Sequence, residues 1–323
     1  MRFFQSSWFP VLLGIIIATV ILSELFTSRQ KTYIQSFHQP YNEDELWQAP
    51  AEDEIAADAE GDLIRYGKEL IANTSKYLGP KGIVAHVSNN MNCQNCHLAA
   101  GTQNFANPFS AVSSTYPKYR ERSGRVESVE FRVNDCLQRS LNGKILDSLS
   151  QEMRAMVAYL KWISKDVPQG LKPKGAGTGV LPFLNRAADP QKGKLVFTNT
   201  CQRCHGANGE GLLMADSTSY TYPPLWGDNS FNISAGMYTL SRLAGFIKNN
   251  MPFGATWQNP QLTDEQAWDV AAFISTQQRP NKFFKYDWPD ISKKPVDYPL
   301  GPYADSFSAT QHKYGPFLSM IKK

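Results

Sequence analysis

At 323 residues the chain is longer than one core usually fills, and the length favours two domains. Its 42% hydrophobic and 19% charged residues are an ordinary globular composition, which excludes wholesale disorder. A net charge of +4 is too mild to imply a nucleic-acid partner, so any basic site must be local.

The N-terminus, MRFFQSSWFPVLLGIIIATVILSELF, carries one early Arg and an apolar run from Trp8 to Leu22. Such a run suits the core of an export signal and falls short of the roughly 20 residues of a full span. No small-x-small cleavage site follows in SELFTSRQK, and Leu25 and Phe26 lengthen the segment. Residues 1–26 are therefore expected to be an uncleaved anchor, with a cleaved signal as the alternative. Either form exports the remainder, so the expected location is the periplasm, attached to the inner membrane through residues 8–26 if the anchor stays. Residues 27–60 read as an acidic linker: nine acids and no Lys or Arg lie between Tyr41 and Asp62. Such a run is expected to be a solvated spacer.

A coarse internal repeat follows. The first unit, residues 61–167, opens with DLIRYGKELIANTSKYL, where Leu63, Tyr66, Leu70 and Tyr77 have helical spacing. It reaches CQNCH and closes on the amphipathic SLSQEMRAMVAYLKWIS. A Gly/Pro-rich hinge over residues 168–186 marks the boundary. The second unit, residues 187–280, opens with DPQKGKLVFTNT, reaches CQRCH and closes on LTDEQAWDVAAFISTQ. In that last helix Thr263 and Gln266 form a capping-box pattern, and Ala267, Val270, Ala271 and Ile274 form a buried stripe. No stretch alternates well enough to demand a sheet. The fold class is thus all-α, and the Cys-x-x-Cys-His motif in each unit, a haem-attachment signature, makes them two tandem cytochrome c-type domains. The Pro- and aromatic-rich tail, residues 281–323, is expected to wrap over them as extended coil.

Cys-x-x-Cys-His is the attachment signature of a c-type haem. Two thiols bond the haem vinyl groups, and the adjacent imidazole ligates the iron. A zinc knuckle would need further Cys or His ligands at matching spacing, and of the cysteines only Cys136 is left over. A thioredoxin-like pair would not bring a His after both motifs. Two covalent haem c groups are expected: Cys93, Cys96, Cys201 and Cys204 anchor them, and His97 and His205 are the proximal ligands. For the second iron the candidates are Met214, Met237 and Met251. Met251 is favoured because Pro252 stiffens its loop, and a Met ligand raises potential. For the first iron the candidates are His86, Met91, Met153, Met156 and Cys136.

Cys136 stands in SGRVESVEFRVNDCLQRSLNG, which reads as a helix from about Ser123 to Asn142. At about 100° per residue, Arg125, Arg132, Cys136 and Arg139 share one face, with Ser140 at its edge. Lys118, Arg120 and Arg122 lie just upstream. Guanidinium groups favour thiolate and fork onto oxyanions. Such a face suits a small sulfur oxyanion. An ordinary buried cysteine with solvated arginines is the competing reading.

At these residues the sequence resembles the thiosulfate dehydrogenases, dihaem c-type cytochromes that join two thiosulfates into tetrathionate. The resemblance runs over roughly residues 61 to 323. It rests on MNCQNCH, YRERSGRVESVEFRVNDCLQRSLNG, CQRCHG, FIKNNMPFG and PLGPYADSFSATQHKYGPF. The arginine-rich Cys136 segment is the most specific of these. The resemblance implies that Cys136 is the distal ligand of the first haem and essential for activity, and that Arg122, Arg132 and Ser140 line the substrate pocket. Some members carry a Lys before the second-haem Met and exchange ligands; here Asn250 stands there, so plain His205/Met251 ligation is expected. The expected reaction passes two electrons to a cytochrome or membrane respiratory acceptor, and its reverse, at the same site, is tetrathionate reduction. The alternative is a non-catalytic dihaem electron-transfer subunit of a respiratory or sulfur-oxidising complex.

Overall fold

Asp58 starts the first long helix by accepting the Gly61 N–H at 2.8 Å, and this helix, α1, runs Ala59–Ala72. In the computed structural model, residues 44–321 are described, together with Thr19, Val20, Ser23, Glu24 and Asn42. The chain divides into residues 1–42 and 43–323. Of the first unit, Thr19, Val20, Ser23 and Glu24 are helical. The expected anchor lies almost wholly outside the described residues, among which no helix is long and apolar enough to cross a membrane.

The second unit holds two helix pairs of the same design. In the first, α1 packs along α3 (Gln151–Trp162), which Ser150 caps. The crossing is tight at Gly67, where a Cβ would lie 2.0 Å from the Ala155 carbonyl oxygen. In the second, α4 (Pro190–Val196) packs on α6 (Asp264–Thr276), and a Cβ on Gly193 would lie 1.8 Å from the Asp269 carbonyl oxygen. Each pair thus needs a glycine at its contact, because any side chain would force the helices apart. α5 (Leu240–Asn250) completes the second core against α6. The expected Thr263/Gln266 capping box forms, and Ala267, Val270, Ala271 and Ile274 are all buried. The α1 stripe is turned from the expected one. Ile64, Gly67, Leu70 and Ile71 are buried, Leu63 and Tyr66 are not, and Tyr77 belongs to a separate short helix, Thr74–Leu78.

Two short hairpins interrupt the helices. β1 (Lys118–Arg120) pairs antiparallel with β2 (Arg125–Glu127), and β3 (Leu212–Leu213) pairs with β4 (Tyr220–Tyr222). The first corrects the expected helix over residues 123–142. Gly124 takes a left-handed conformation (φ +62°) to close the hairpin, and helix α2 begins only at Val129 and ends at Arg139. Its true cap is Ser128, whose hydroxyl accepts the Phe131 N–H at 3.2 Å.

The acidic segment is likewise not all spacer. Trp47 and Ile55 are buried, Glu54 pairs with Lys165 at 2.8 Å, and Glu52 pairs with Lys68. The tail carries short helices at α7 (Ala309–Tyr314) and Leu318–Ile321 and is otherwise largely non-helical. Phe317 joins Phe183 and Trp268 in the second core.

Candidate active site

Both proximal histidines are held in the same way. His97 donates Nδ1–H to the Asn107 carbonyl at 2.6 Å, and His205 donates Nδ1–H to the Pro223 carbonyl at 2.8 Å. A carbonyl only accepts, so each ring carries its proton on Nδ1 and leaves the Nε2 lone pair for iron. Burial pushes His97 down to about 4 and His205 below its ordinary value, so both rings are neutral, the form a metal needs. Phe109 stacks on His97 at 4.3 Å. Around CQNCH, Thr74 Oγ1 accepts the Cys93 N–H at 3.0 Å, and Asn92 Oδ1 accepts the Ser75 N–H at 2.8 Å, which fixes the loop on the short Thr74–Leu78 helix.

The second motif opens on a cavity of about 830 Å³ lined by Cys201, Cys204, His205 and Met251. An imidazole and a thioether facing one largely apolar cavity fit a six-coordinate haem. Met214 does not line this cavity: it is 48% exposed beside β3, and its sulfur accepts the Ser219 hydroxyl at 2.8 Å. Met237 also lines the cavity, but its sulfur takes the Asn107 amide at 3.6 Å. Asn107 therefore touches both sites, since its carbonyl holds His97. Asn250, beside Met251, is tied to the first domain: its side chain accepts from Gln103 at 2.9 Å and donates to the Phe105 carbonyl at 3.0 Å. Cys96 of the first motif is part of the same cavity wall, so the two motifs share one protein interior.

Among the first-motif candidates, His86 is bonded to the Gly82 carbonyl at the surface, while Met153 and Met156 are wholly buried on α3. Met91 lines the cavity of about 830 Å³ already described at the second motif. Cys136 lies near enough to the first motif to bear on both the Cys93 and Cys96 thiols, which burial first of all pushes up to about 11 and about 12.

The expected arginine face divides into separate roles. Arg132 is on α2, and Cys136 is the strongest influence raising it; it also pairs with Asp135. Arg139 is buried and spent: Asp135 takes its Nε, and Asp287 of the tail takes its fork at 2.6 and 2.7 Å. Arg125 lies on β2, off the helix, with its guanidinium over Phe131. Arg122 comes from the hairpin turn and is buried, held below its ordinary value by burial and then by Arg139. Ser140 is the C-terminal cap of α2, its N–H on the Cys136 carbonyl at 2.8 Å. Sequence reasoning missed Asp135, Tyr116 and Arg242. Tyr116 is raised first by burial and feels Arg132, Arg120, Cys136 and Glu127 in turn, which puts it in this cluster. Only Asp135 had a legible signal, its position one turn before Arg139.

Two helix-paired domains, each with a Cys-x-x-Cys-His motif whose histidine is oriented for iron, define a dihaem c-type cytochrome, with two covalently bound haem c groups. Residues 84–169 match the SoxA/TsdA cytochrome c domain and residues 190–278 match cytochrome c. The chain is 41% identical over 244 residues to a thiosulfate dehydrogenase of Psychrobacter arcticus, covering 75% of this chain and 71% of that one. It is 40% identical to a thiosulfate dehydrogenase of Allochromatium vinosum, covering 68% and 79%. It also resembles the solved thiosulfate dehydrogenase (TsdBA) of Marichromatium purpuratum, with a TM-score of 0.68 and 30% identity, covering 79% of this chain and about half (52%) of that one. The chain belongs to the thiosulfate dehydrogenase family.

Proposed function

We propose that this protein oxidises two thiosulfates to tetrathionate at the first-haem site and passes the two electrons out through the second. The observation that carries this is Cys136, a cysteine outside both haem motifs that lies by Cys93 and Cys96 with Arg132 beside it. Haem c held by Cys93, Cys96 and His97, and by Cys201, Cys204 and His205, would supply the one-electron acceptors for the two electrons.

The protein's own groups do the rest. Arg132 and Arg122 hold the oxygens of thiosulfate, and Ser140 adds a hydroxyl at the end of α2. The Cys136 thiolate and the outer sulfur of one thiosulfate form a sulfur–sulfur bond as two electrons leave. The outer sulfur of a second thiosulfate then attacks that adduct. A new sulfur–sulfur bond forms, the bond to Cys136 breaks, and tetrathionate departs with the Cys136 thiolate restored. No proton is consumed or released. The same steps run backwards would reduce tetrathionate.

His97 and Cys136 are the proposed ligands of the first iron, and His205 and Met251 those of the second. Thiolate ligation holds a potential low and thioether ligation holds one high, which gives the flow its direction. Pro252 and the 83% exposed Phe253 border Met251 and offer an apolar contact for an acceptor, taken to be a cytochrome or a membrane respiratory module. Residues 61–167 would be the catalytic domain, 187–280 the electron-exit domain, 168–186 their linker and 281–323 the tail. Export to the periplasm fits the N-terminal sequence, with inner-membrane attachment through residues 8–26. The test is tetrathionate formation by the purified holo-protein with a one-electron acceptor. Electron transfer without tetrathionate would favour a carrier instead.

A further inference from the structure

A cleft of about 260 Å³ lies between the β1–β2 hairpin, the start of α5 and the tail. Five cations line it, Lys118, Arg120, Arg122, Arg242 and Lys293, against a single carboxylate, Glu121. Among the described residues none of the five forms an ion pair. The nearby Asp297 is buried, and its carboxylate accepts the Ser241 N–H at 2.7 Å.

Arg122 is the telling residue. It is only 8% exposed, and its described side-chain hydrogen bond is one long contact, 3.4 Å from Nη1 to the Ser234 carbonyl. The one carboxylate that acts on it, Asp135, is already paired with Arg132 and Arg139, so the buried Arg122 guanidinium has no ion pair of its own and its surroundings suit an anion. A second buried donor lies in the same wall. Trp288, 8% exposed, has an Nε1–H with no acceptor among the described residues, while its backbone N–H donates to the Arg122 carbonyl at 2.6 Å. Trp288 meets Tyr298 edge-on at 5.2 Å, which gives the cleft an aromatic wall. Arg242 sits at the mouth with access to solvent. Its surrounding protein, and then Arg122, Arg132 and Arg120, push it down to about 10.

We infer that this cleft is a second oxoanion site, which holds one thiosulfate dianion next to the site at Cys136. Its sulfonate oxygens meet Arg122 and Arg242, and its soft outer sulfur lies against the aromatic wall. The inference rests on the proposed reaction, which consumes two dianions in sequence and so gains from a second one held close by. Arg122 is shared between the two sites, and Arg132 reaches electrostatically to both Arg122 and Arg242. Arg242 belongs to the second domain and Trp288 to the tail, so the cleft exists only when those segments are docked on the hairpin.

Selenate, a stable tetrahedral dianion that scatters anomalously, is the probe. Crystals of the holo-protein soaked in selenate should show an anomalous peak between Arg122 and Arg242. In solution, Arg242→Gln should weaken selenate binding at least about tenfold by calorimetry. Lys293→Gln, at an exposed residue, should weaken it by a smaller factor. Arg242→Gln should also raise the KM for thiosulfate more than it lowers kcat. Selenate found only beside Arg132 and Cys136, or an affinity unmoved by both substitutions, would overturn the inference. Binding in the cleft by a protein that forms no tetrathionate would leave the site standing and remove the proposed reaction instead.

Discussion

Replacing Asp287 with alanine removes both oxygens that the Arg139 fork uses. Arg139 is 7% exposed, and the two contacts measure 2.6 and 2.7 Å. A hydrogen bond to a charged group contributes about 1.5–3 kcal/mol, and breaking a buried pair costs about 3–5 kcal/mol. Asp135 still holds Nε, and Asp287 itself retains some solvent contact, so the lower part of the range applies: about 2–3 kcal/mol. Urea unfolding of the holo-protein at neutral pH, followed by far-ultraviolet circular dichroism, measures this as a lower midpoint at unchanged slope. Asp287→Asn, which keeps the shape and one acceptor, should lose roughly half as much. Because Asp287 precedes Trp288, which bonds the Arg122 carbonyl, the alanine variant should also raise the KM for thiosulfate. A stability loss under about 0.5 kcal/mol would show that the tail is not fastened to α2 through this ion pair.

Three further predictions concern the remaining contacts. Burial alone would raise the Asp135 carboxyl, but Arg132, Arg139 and Arg122 outweigh it and hold the group below its ordinary value. A depressed folded pKa gives stability that is complete above the unfolded value, near about 3.9, and is lost as pH falls through the folded one. Asp135→Asn should therefore flatten the acid limb of the stability curve below about pH 4, and an unaltered limb would refute the assignment. Gly101 has φ +87°, and a Cβ there would meet the Phe109 ring at 2.0 Å, so Gly101→Ala should cost at least about 1–3 kcal/mol and shift the first-haem spectrum through the Phe109–His97 stack. Asn250→Ala frees the Met251 loop from Gln103 and Phe105; about 2 kcal/mol of stability and a lower second-haem potential should go with it, read by redox titration.

Much of this was legible in the chain itself. The haem motifs needed only spacing, and the closing helix of the second domain announced itself through Thr263, Gln266 and its apolar stripe. The hairpin before α2 was not legible. Three-residue strands are too short to show alternation, and Ser123 imitates a cap that belongs to Ser128. Helical periodicity placed Arg139 on the same helix as Cys136 but could not show that Asp287, 148 positions away, occupies it. Arg242 and Trp288 reach the hairpin by long-range packing, for which local patterns carry no signal. The linker acids were read as solvated, yet Trp47 and Ile55 anchor part of that segment on the body.

The role of Cys136 is tested most directly by Cys136→Ala in the purified, fully haem-loaded protein. Tetrathionate formed and acceptor reduced are counted together, and the optical spectrum of the first haem is recorded alongside. The wild type should form one tetrathionate for every two thiosulfates with two electrons delivered. The variant should keep the second-haem spectrum, change the first, and lose at least about a thousandfold in kcat. Full activity with an unchanged first-haem spectrum would contradict both proposed roles of Cys136, as ligand and as the sulfur that carries the reaction.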